Sequence, residues 1–251
     1  MNASETIRLA VARVAALRLE TEASAPLRAA TTAVKRFQSQ RFSATYRDLL
    51  EAPEYGAAAR FFLVELYSEK DYSQRDAQFA RIAGALQRLF PQQVVATAVA
   101  LAELHQLSEE LDHAMARVWM EFAKGTEDPL ARYVSCWTTL GRSEDRFRQL
   151  DLVLKIGKEL DRLTRTPGLR MMLRMMRRPA KATGLEALQN FLEAGFDTFA
   201  ELAAHGGAHA QEFLNTIAQR EAELMNQLFA KDVTVRARAL QRQFSDASPL
   251  T

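Results

Sequence analysis

The sequence predicts an all-α protein, a single-domain bundle of about ten helices with short connections, and three observations carry that prediction. Apolar residues recur at helical spacing along almost the whole chain, and sustained strand-like alternation is nearly absent. Glycine (10) and proline (7) are scarce for 251 residues, whereas sheet-rich folds use both heavily in their turns. Hydrophobic residues make up 48% and charged residues 25%, close to an average globular domain, which argues against wholesale disorder.

Each element follows from its own pattern. Residues 4–22 place Ile7, Ala10, Val14 and Leu17 on one stripe, and Ser24 and Pro26 break it, the proline being suited to a first helical turn. A second stripe of Leu27, Ala30, Val34 and Phe37 continues toward Tyr46, Leu49 and Leu50 until Pro53. A helix over 54–67 holds "FFLVELY". In the loop "SEKDYSQRD" after it, Ser73 and Asp76 have the spacing of a capping box, with Asp in the usual Glu position. Phe79, Ile82, Leu86 and Leu89 define the next helix, up to Pro91. The longest segment, 91–124, is apolar on nearly all sides from Val94 to Leu101, then shows a seam of Leu104, Leu107, Leu111, Met115, Val118 and Phe122.

"KGTEDP" reads as a turn, Pro129 opens a helix through Trp137, and a helix from Ser143 carries Phe147, Leu150, Leu154 and Leu160. "TPG" at 166–168 is the one place where a subdomain break would fall, and a short basic helix follows to about Pro179. Leu185, Leu188, Leu192, Phe196 and Phe199, then Phe213, Ile217, Leu224 and Leu228, read as a helical hairpin around Gly206-Gly207. A last helix over 233–244 completes a domain expected to span 1–245, leaving a disordered polar tail at 246–251. No segment repeats at a fixed period, so the pattern is not that of a solenoid.

A net charge of +2 argues against a chain-wide nucleic-acid surface and confines any basic patch to one region. The single cysteine, Cys136, forms no internal disulfide and fits a reducing cytoplasm; beside Trp137 it reads as a small buried hydrophobe. Arg8, Arg13 and Arg18 interrupt any apolar stretch of a secretory signal. The longest uncharged run, fourteen residues between Arg88 and Glu103, is too short to span a bilayer. These features together give the expectation of a soluble cytoplasmic protein.

Three places could carry chemistry. The first is Glu65, which falls angularly between Phe61 and Phe62 on a helix that is apolar nearly all round, the mark of a central helix. A buried carboxylate needs a partner, and Arg75, brought back by the following loop, is the candidate; Arg60 points away. Two readings stay open: an ion pair that fixes helix docking, or a functional acid in a pocket with Phe61, Phe62, Tyr67 and Arg75. The stretch "RFSATYRDLLEAPEYGAAARFFLVELYSEKDYSQRDAQFARI", 41–82, resembles a bacterial family named for its FFLEELY motif, and "GLEALQNFLEAGF", 184–196, is similar to that family's C-terminal part. The matching residues are Phe61, Phe62, Leu63, Glu65, Leu66 and Tyr67, and Val64 stands where the motif has Glu, so that position holds no essential acid. The resemblance implies a coherent fold and a bacterial origin. It implies no mechanism, because the family has no assigned activity.

The second place is "ELHQLSEELDHAM", 103–115. Glu110 and His113 form a Glu-x-x-His unit of the kind used in di-iron bundles, but the chain has no second unit. Measured against the leucine seam, His113 lies opposite the buried side, and His105, Glu109 and Asp112 form a flank expected to make a surface hydrogen-bond network. A solvated polar face is the expectation here, not a metal centre.

The third place is basic. From Arg162 to Lys181 there are seven basic residues and no acid, and Arg170, Arg174, Arg177 and Arg178 share a helical stripe that Lys181 extends. Met171, Met172, Met175 and Met176 adjoin it, suiting either irregular core packing or a surface that accepts varied partners. An acidic protein or an anionic ligand fits such a surface, and so does peripheral contact with an anionic membrane. Nucleic acid fits poorly, since no aromatic stacking platform accompanies the charges. No phosphate-loop, dinucleotide, nucleophile-elbow or Cys-x-x-Cys motif occurs, so no cofactor is called for. The leading expectation is therefore a non-enzymatic binding or adaptor protein using the Met/Arg-rich helix. The alternative is an enzyme or carrier with a pocket for an apolar or acyl ligand near Glu65.

Overall fold

Thirty residues of unbroken helix set the frame. In the computed structural model, which describes residues 1–66, 70–122, 128–204 and 208–230, helix α6 (Gln92–Glu121) is 30 residues long, about 45 Å at the helical rise. Around it run α1 (Ala3–Glu22), α2 (Ala25–Thr45), α3 (Arg47–Glu51), α4 (Gly56–Leu66) and α5 (Ser73–Leu89), all earlier in the chain. After it come α7 (Pro129–Leu140), α8 (Ser143–Thr164), α9 (Leu169–Met175), α10 (Arg177–Ala182), α11 (Glu186–Ala204) and α12 (His209–Leu228). Among the described residues every regular element is a helix, and the packing is that of one all-α bundle. The last expected helix at 233–244, the polar tail and the Gly206-Gly207 break lie outside the described residues.

Local chemistry explains the boundaries. Asn2 caps α1 by accepting from the Glu5 amide at 2.9 Å, Ser24 caps α2 with Pro26 in its first turn, and Asp128 caps α7 ahead of Pro129. Gly141 ends α7 in the left-handed region, with φ 65°, and donates to the Trp137 carbonyl at 3.1 Å. The expected capping box at α5 does not form. The Ser73 amide and hydroxyl both turn back to the Asp71 carboxylate at 2.8 and 2.9 Å, because Asp76 is engaged in the interior instead.

α6 packs against α1, α2, α7 and α8, so it is enclosed on several faces. Among the described residues most of the buried apolar side chains gather in four clusters. Leu27, Val34, Phe37, Met115, Trp119 and Tyr133 join α2, α6 and α7. Phe42, Tyr46, Phe62, Phe199 and Phe213 join α2, α4, α11 and α12. Ile7, Phe79 and Leu188 join α1, α5 and α11, and Leu104, Leu107, Leu111 and Ile156 join α6 to α8. α8 meets α12 so closely that a Cβ on Gly157 would stand 2.5 Å from Leu214 Cδ2. Cys136 is fully buried in the first cluster. The helices on either side of the "TPG" turn both pack on α11, and no described helix is long and apolar enough to cross a membrane.

Candidate functional site

Glu65 sits in the last turn of α4, and its Oε2 accepts from Arg75 Nη1 at 2.9 Å. Their side chains are only 16% and 13% exposed, so the pair is largely shielded from solvent. The Arg75 guanidinium also lies over Tyr72, 4.0 Å from the ring centre, and over Phe191 at 4.6 Å, while the Tyr72 hydroxyl donates to the Val64 carbonyl. Arg60 faces elsewhere and donates to the Leu50 carbonyl at 3.1 Å. The two phenylalanines diverge. Phe62 is buried against Phe199 and Phe213, whereas Phe61 stacks on Phe191 and fills the space over Gly195. Tyr67 lies outside the described residues.

A cavity of about 60 Å³ opens beside this pair, lined by Glu65, Tyr72, Arg75, Asp76, His105, Glu109, Lys35 and Asp112 together with Phe79, Leu104 and Leu188. A second cavity of about 60 Å³ is lined by Arg41, Phe62, Tyr133, Trp137, Arg146, Gln149 and Glu221. The two share Gln38, Leu104, Ser108 and Asp112, and between them their linings draw on all four apolar clusters. Polar side chains thus occupy the seams where the clusters meet.

This arrangement overturns the reading of 103–115 as a solvated face. His105 Nε2 is 2.8 Å from Asp76 Oδ2, Lys35 Nζ pairs with Glu109 at 2.9 Å, and Gln38 donates to Asp112 at 3.0 Å, all within the bundle. The leucine seam marks one buried side of α6, but α1 and α2 cover the adjoining side as well. His113 is also buried, 3.4 Å from Glu20, and burial followed by the Arg117 charge lowers its pKa. Glu110 meets Arg13 at 3.1 Å. Among the described residues no group of three or more His, Cys, Asp and Glu is placed to hold a metal ion.

The charges are matched in pairs. Asp76 accepts from Arg18 at 2.8 Å and lies 3.5 Å from Arg75. Burial alone would raise its pKa, but His105, Arg75 and Arg18 outweigh that and leave it below the ordinary value. Glu109 behaves alike: burial pushes it up, and Lys35, His105 and Arg18 bring it down further. In the second cavity Arg41 and the Tyr46 hydroxyl both donate to Glu221, at 2.8 and 2.9 Å. Arg146 lies over the Trp137 ring at 4.5 Å and donates to Gln149 at 3.2 Å, and Gln149 reaches Ser108 at 2.8 Å. Asp112 differs from the other acids, since burial raises its pKa and the charges of Lys35 and Arg146 do not bring it back.

Part of this polar interior was visible in the sequence. Gln38 and Arg41 continue the Val34 stripe at i+4 and i+7, so two polar side chains stand where the helix predicts core. Lys35, Arg18, Arg146 and Glu221 give no such signal, because each is covered, Arg146 fully and the others in part, by a helix distant in sequence.

The basic segment divides in two. Arg170 pairs with Asp197 at 2.7 Å, Arg177 with Glu193 at 2.6 Å, and Lys181 lies 4.0 Å from Glu186, which ties α9 and α10 down on α11. Arg174 and Arg178 are exposed and make no ion pair among the described residues. The methionines are not core: Met171, Met172, Met175 and Met176 are 68%, 38%, 71% and 40% exposed.

A family model described as Domain of unknown function (DUF8198) matches residues 17–235. No curated protein matches the chain, and no solved structure does.

Proposed function

We propose, from the premise that the chain belongs to this DUF8198 family, that it is a non-enzymatic binding protein whose α9–α10 surface docks an acidic, amphipathic segment of a partner protein. One observation carries the reading: four of the large apolar side chains left in solvent fall within six residues, with Arg174 among them and Arg178 just beyond. Exposed apolar groups gathered in one place mark interaction surfaces. Methionine adapts to varied partners, and arginine pairs with carboxylates in bidentate fashion. Anchoring through Asp197 and Glu193 holds the short helices in place, so little ordering remains to oppose binding. We place this protein in the bacterial cytoplasm, in keeping with the FFLEELY-type motif and the single cysteine.

The test compares the native chain with the Arg174→Glu/Arg178→Glu variant, using a synthetic helical peptide of alternating glutamate and leucine faces. Fluorescence anisotropy should show binding by the native protein that weakens at least tenfold in the variant and with rising salt. Equal binding by both proteins sinks the proposal. Sedimentation with phosphatidylglycerol vesicles but no peptide binding would assign the surface to a membrane instead.

A further inference from the structure

The chain holds eight methionines and one cysteine, and the fold sorts their sulfur by access. Cys136, Met115 and Met225 are buried together in one core cluster, and Met120 packs half-buried against it. Met171 and Met175 are the most open of the four methionines on the α9–α10 face, 68% and 71% exposed. Burial thus keeps the thiol away from oxidants in solvent and leaves thioethers to meet them. We propose that this face is a modification site at which a hydroperoxide converts Met171 and Met175 to methionine sulfoxide, and that the change switches off docking of the acidic, amphipathic segment. The switch rests on the docking reading above, whereas the modification site does not.

The step balances with the hydroperoxide as its only co-reactant. The thioether sulfur attacks one peroxide oxygen, and the S–O bond forms as the O–O bond breaks. The departing oxygen takes the proton of the transferred one and leaves as water, or as an alcohol from an organic hydroperoxide. Sulfur gives up two electrons and the peroxide accepts them. The product is polar where the thioether was apolar, and methionine sulfoxide reductases reverse it. Two features of the face make the change a switch instead of damage. Arg170 holds Asp197 at 2.7 Å, Arg177 holds Glu193 at 2.6 Å, and Gln189 donates to the Leu173 carbonyl at 2.7 Å. None of these anchors involves sulfur, so α9 and α10 stay seated on α11 when the thioethers oxidise. Met171 and Met175 also stand four residues apart on α9, adjacent on one helix face, so the two sulfoxides fall side by side within the apolar patch. Docking that depends on adaptable thioethers loses its apolar contact there.

The probe is hydrogen peroxide, added to the purified full chain, with each sulfoxide located by fragmentation mass spectrometry. Met1, 82% exposed, supplies the rate of an open thioether. Met171 and Met175 should oxidise within about threefold of Met1 and at least about tenfold faster than Met115 and Met225. At a dose that converts those two, the anisotropy titration with the glutamate/leucine peptide should show binding weakened at least about tenfold while Tm holds, and a methionine sulfoxide reductase should restore it. In Met171→Leu/Met175→Leu the same dose should leave the affinity where it stood before peroxide. Oxidation of Met115 or Met225 as fast as that of Met171 overturns the site. Equal peptide binding before and after peroxide, an equal loss in the leucine variant, or no recovery with the reductase overturns the switch. Absence of peptide binding by the untreated chain instead overturns the docking reading, and the switch falls with it while the oxidation rates still decide the site.

Discussion

Arg75, in the first turn of α5, donates to Glu65, in the last turn of α4, at 2.9 Å. The bond pins the corner between two helices, and the rings of Tyr72 and Phe191 hold the guanidinium flat while it does so. Arg75→Leu strands the Glu65 carboxylate and should cost about 3 kcal/mol, the lower end of what breaking a buried pair costs. Arg75→Lys should recover only part of that, because a point charge cannot stack on two rings. Urea unfolding reads both, with the slope unchanged and only the midpoint moving. A Lys variant as stable as the native chain would refute the stacking argument.

Asp76 and Glu109 bind their protons less tightly in the fold than at their ordinary values of 3.8 and 4.5. A carboxyl with a lowered folded pKa stabilises above its unfolded pKa, and that contribution is lost as pH falls through the folded value. Stability should therefore be level near neutrality and decline below about pH 4. Asp76→Asn should lower stability by about 3 kcal/mol at neutral pH and flatten the acid decline. Denaturant midpoints measured across that range check it.

Asp112 has the opposite sign. Its folded pKa lies above 3.8, so the fold binds the proton more tightly than the unfolded chain does. That contribution is present below 3.8 and is lost as pH rises through the folded value. Asp112→Asn, which can keep the Gln38 bond without a charge to bury, should match or exceed native stability at neutral pH, with the advantage vanishing in acid. A variant less stable than the native chain at neutral pH would show that the carboxylate is ionised and paired.

Gly157→Ala places a methyl 2.5 Å from a Leu214 side chain that is itself fully buried. Overpacking of this kind costs about 1–3 kcal/mol. The double variant with Leu214→Ala should fall short of the sum of the two losses, since truncation removes the atoms that the methyl strikes. Additive losses in thermal unfolding would mean that the helices separate instead of the side chain yielding.

Reading outward from the sequence, the apolar stripes proved the most legible feature. Ile7, Ala10, Val14 and Leu17, and again Leu27, Ala30, Val34 and Phe37, are all buried, because helical spacing converts sequence directly into a face. The Glu65–Arg75 contact was legible for a related reason: the partners are ten residues apart, and one turn brings them together. The seam predicts a surface for His105, Glu109 and Asp112, and the spacing from Ser73 predicts a cap for Asp76, whereas all four make their contacts between packed helices. A single seam orients a helix that packs on one side, whereas α6 is enclosed by α1, α2, α7 and α8. Likewise nothing in the Met/Arg pattern distinguishes core from solvent, since methionine suits both.

The amino-acid sequence by itself determined that the chain is helical, where most helices begin and end, and which faces are apolar, because each depends on neighbours a few residues away. Tertiary structure alone decided that charged residues meet in the interior and that four methionines face water. Those outcomes depend on which distant helix covers a given face, and burial and charge pairing across such distances are set by packing, not by periodicity.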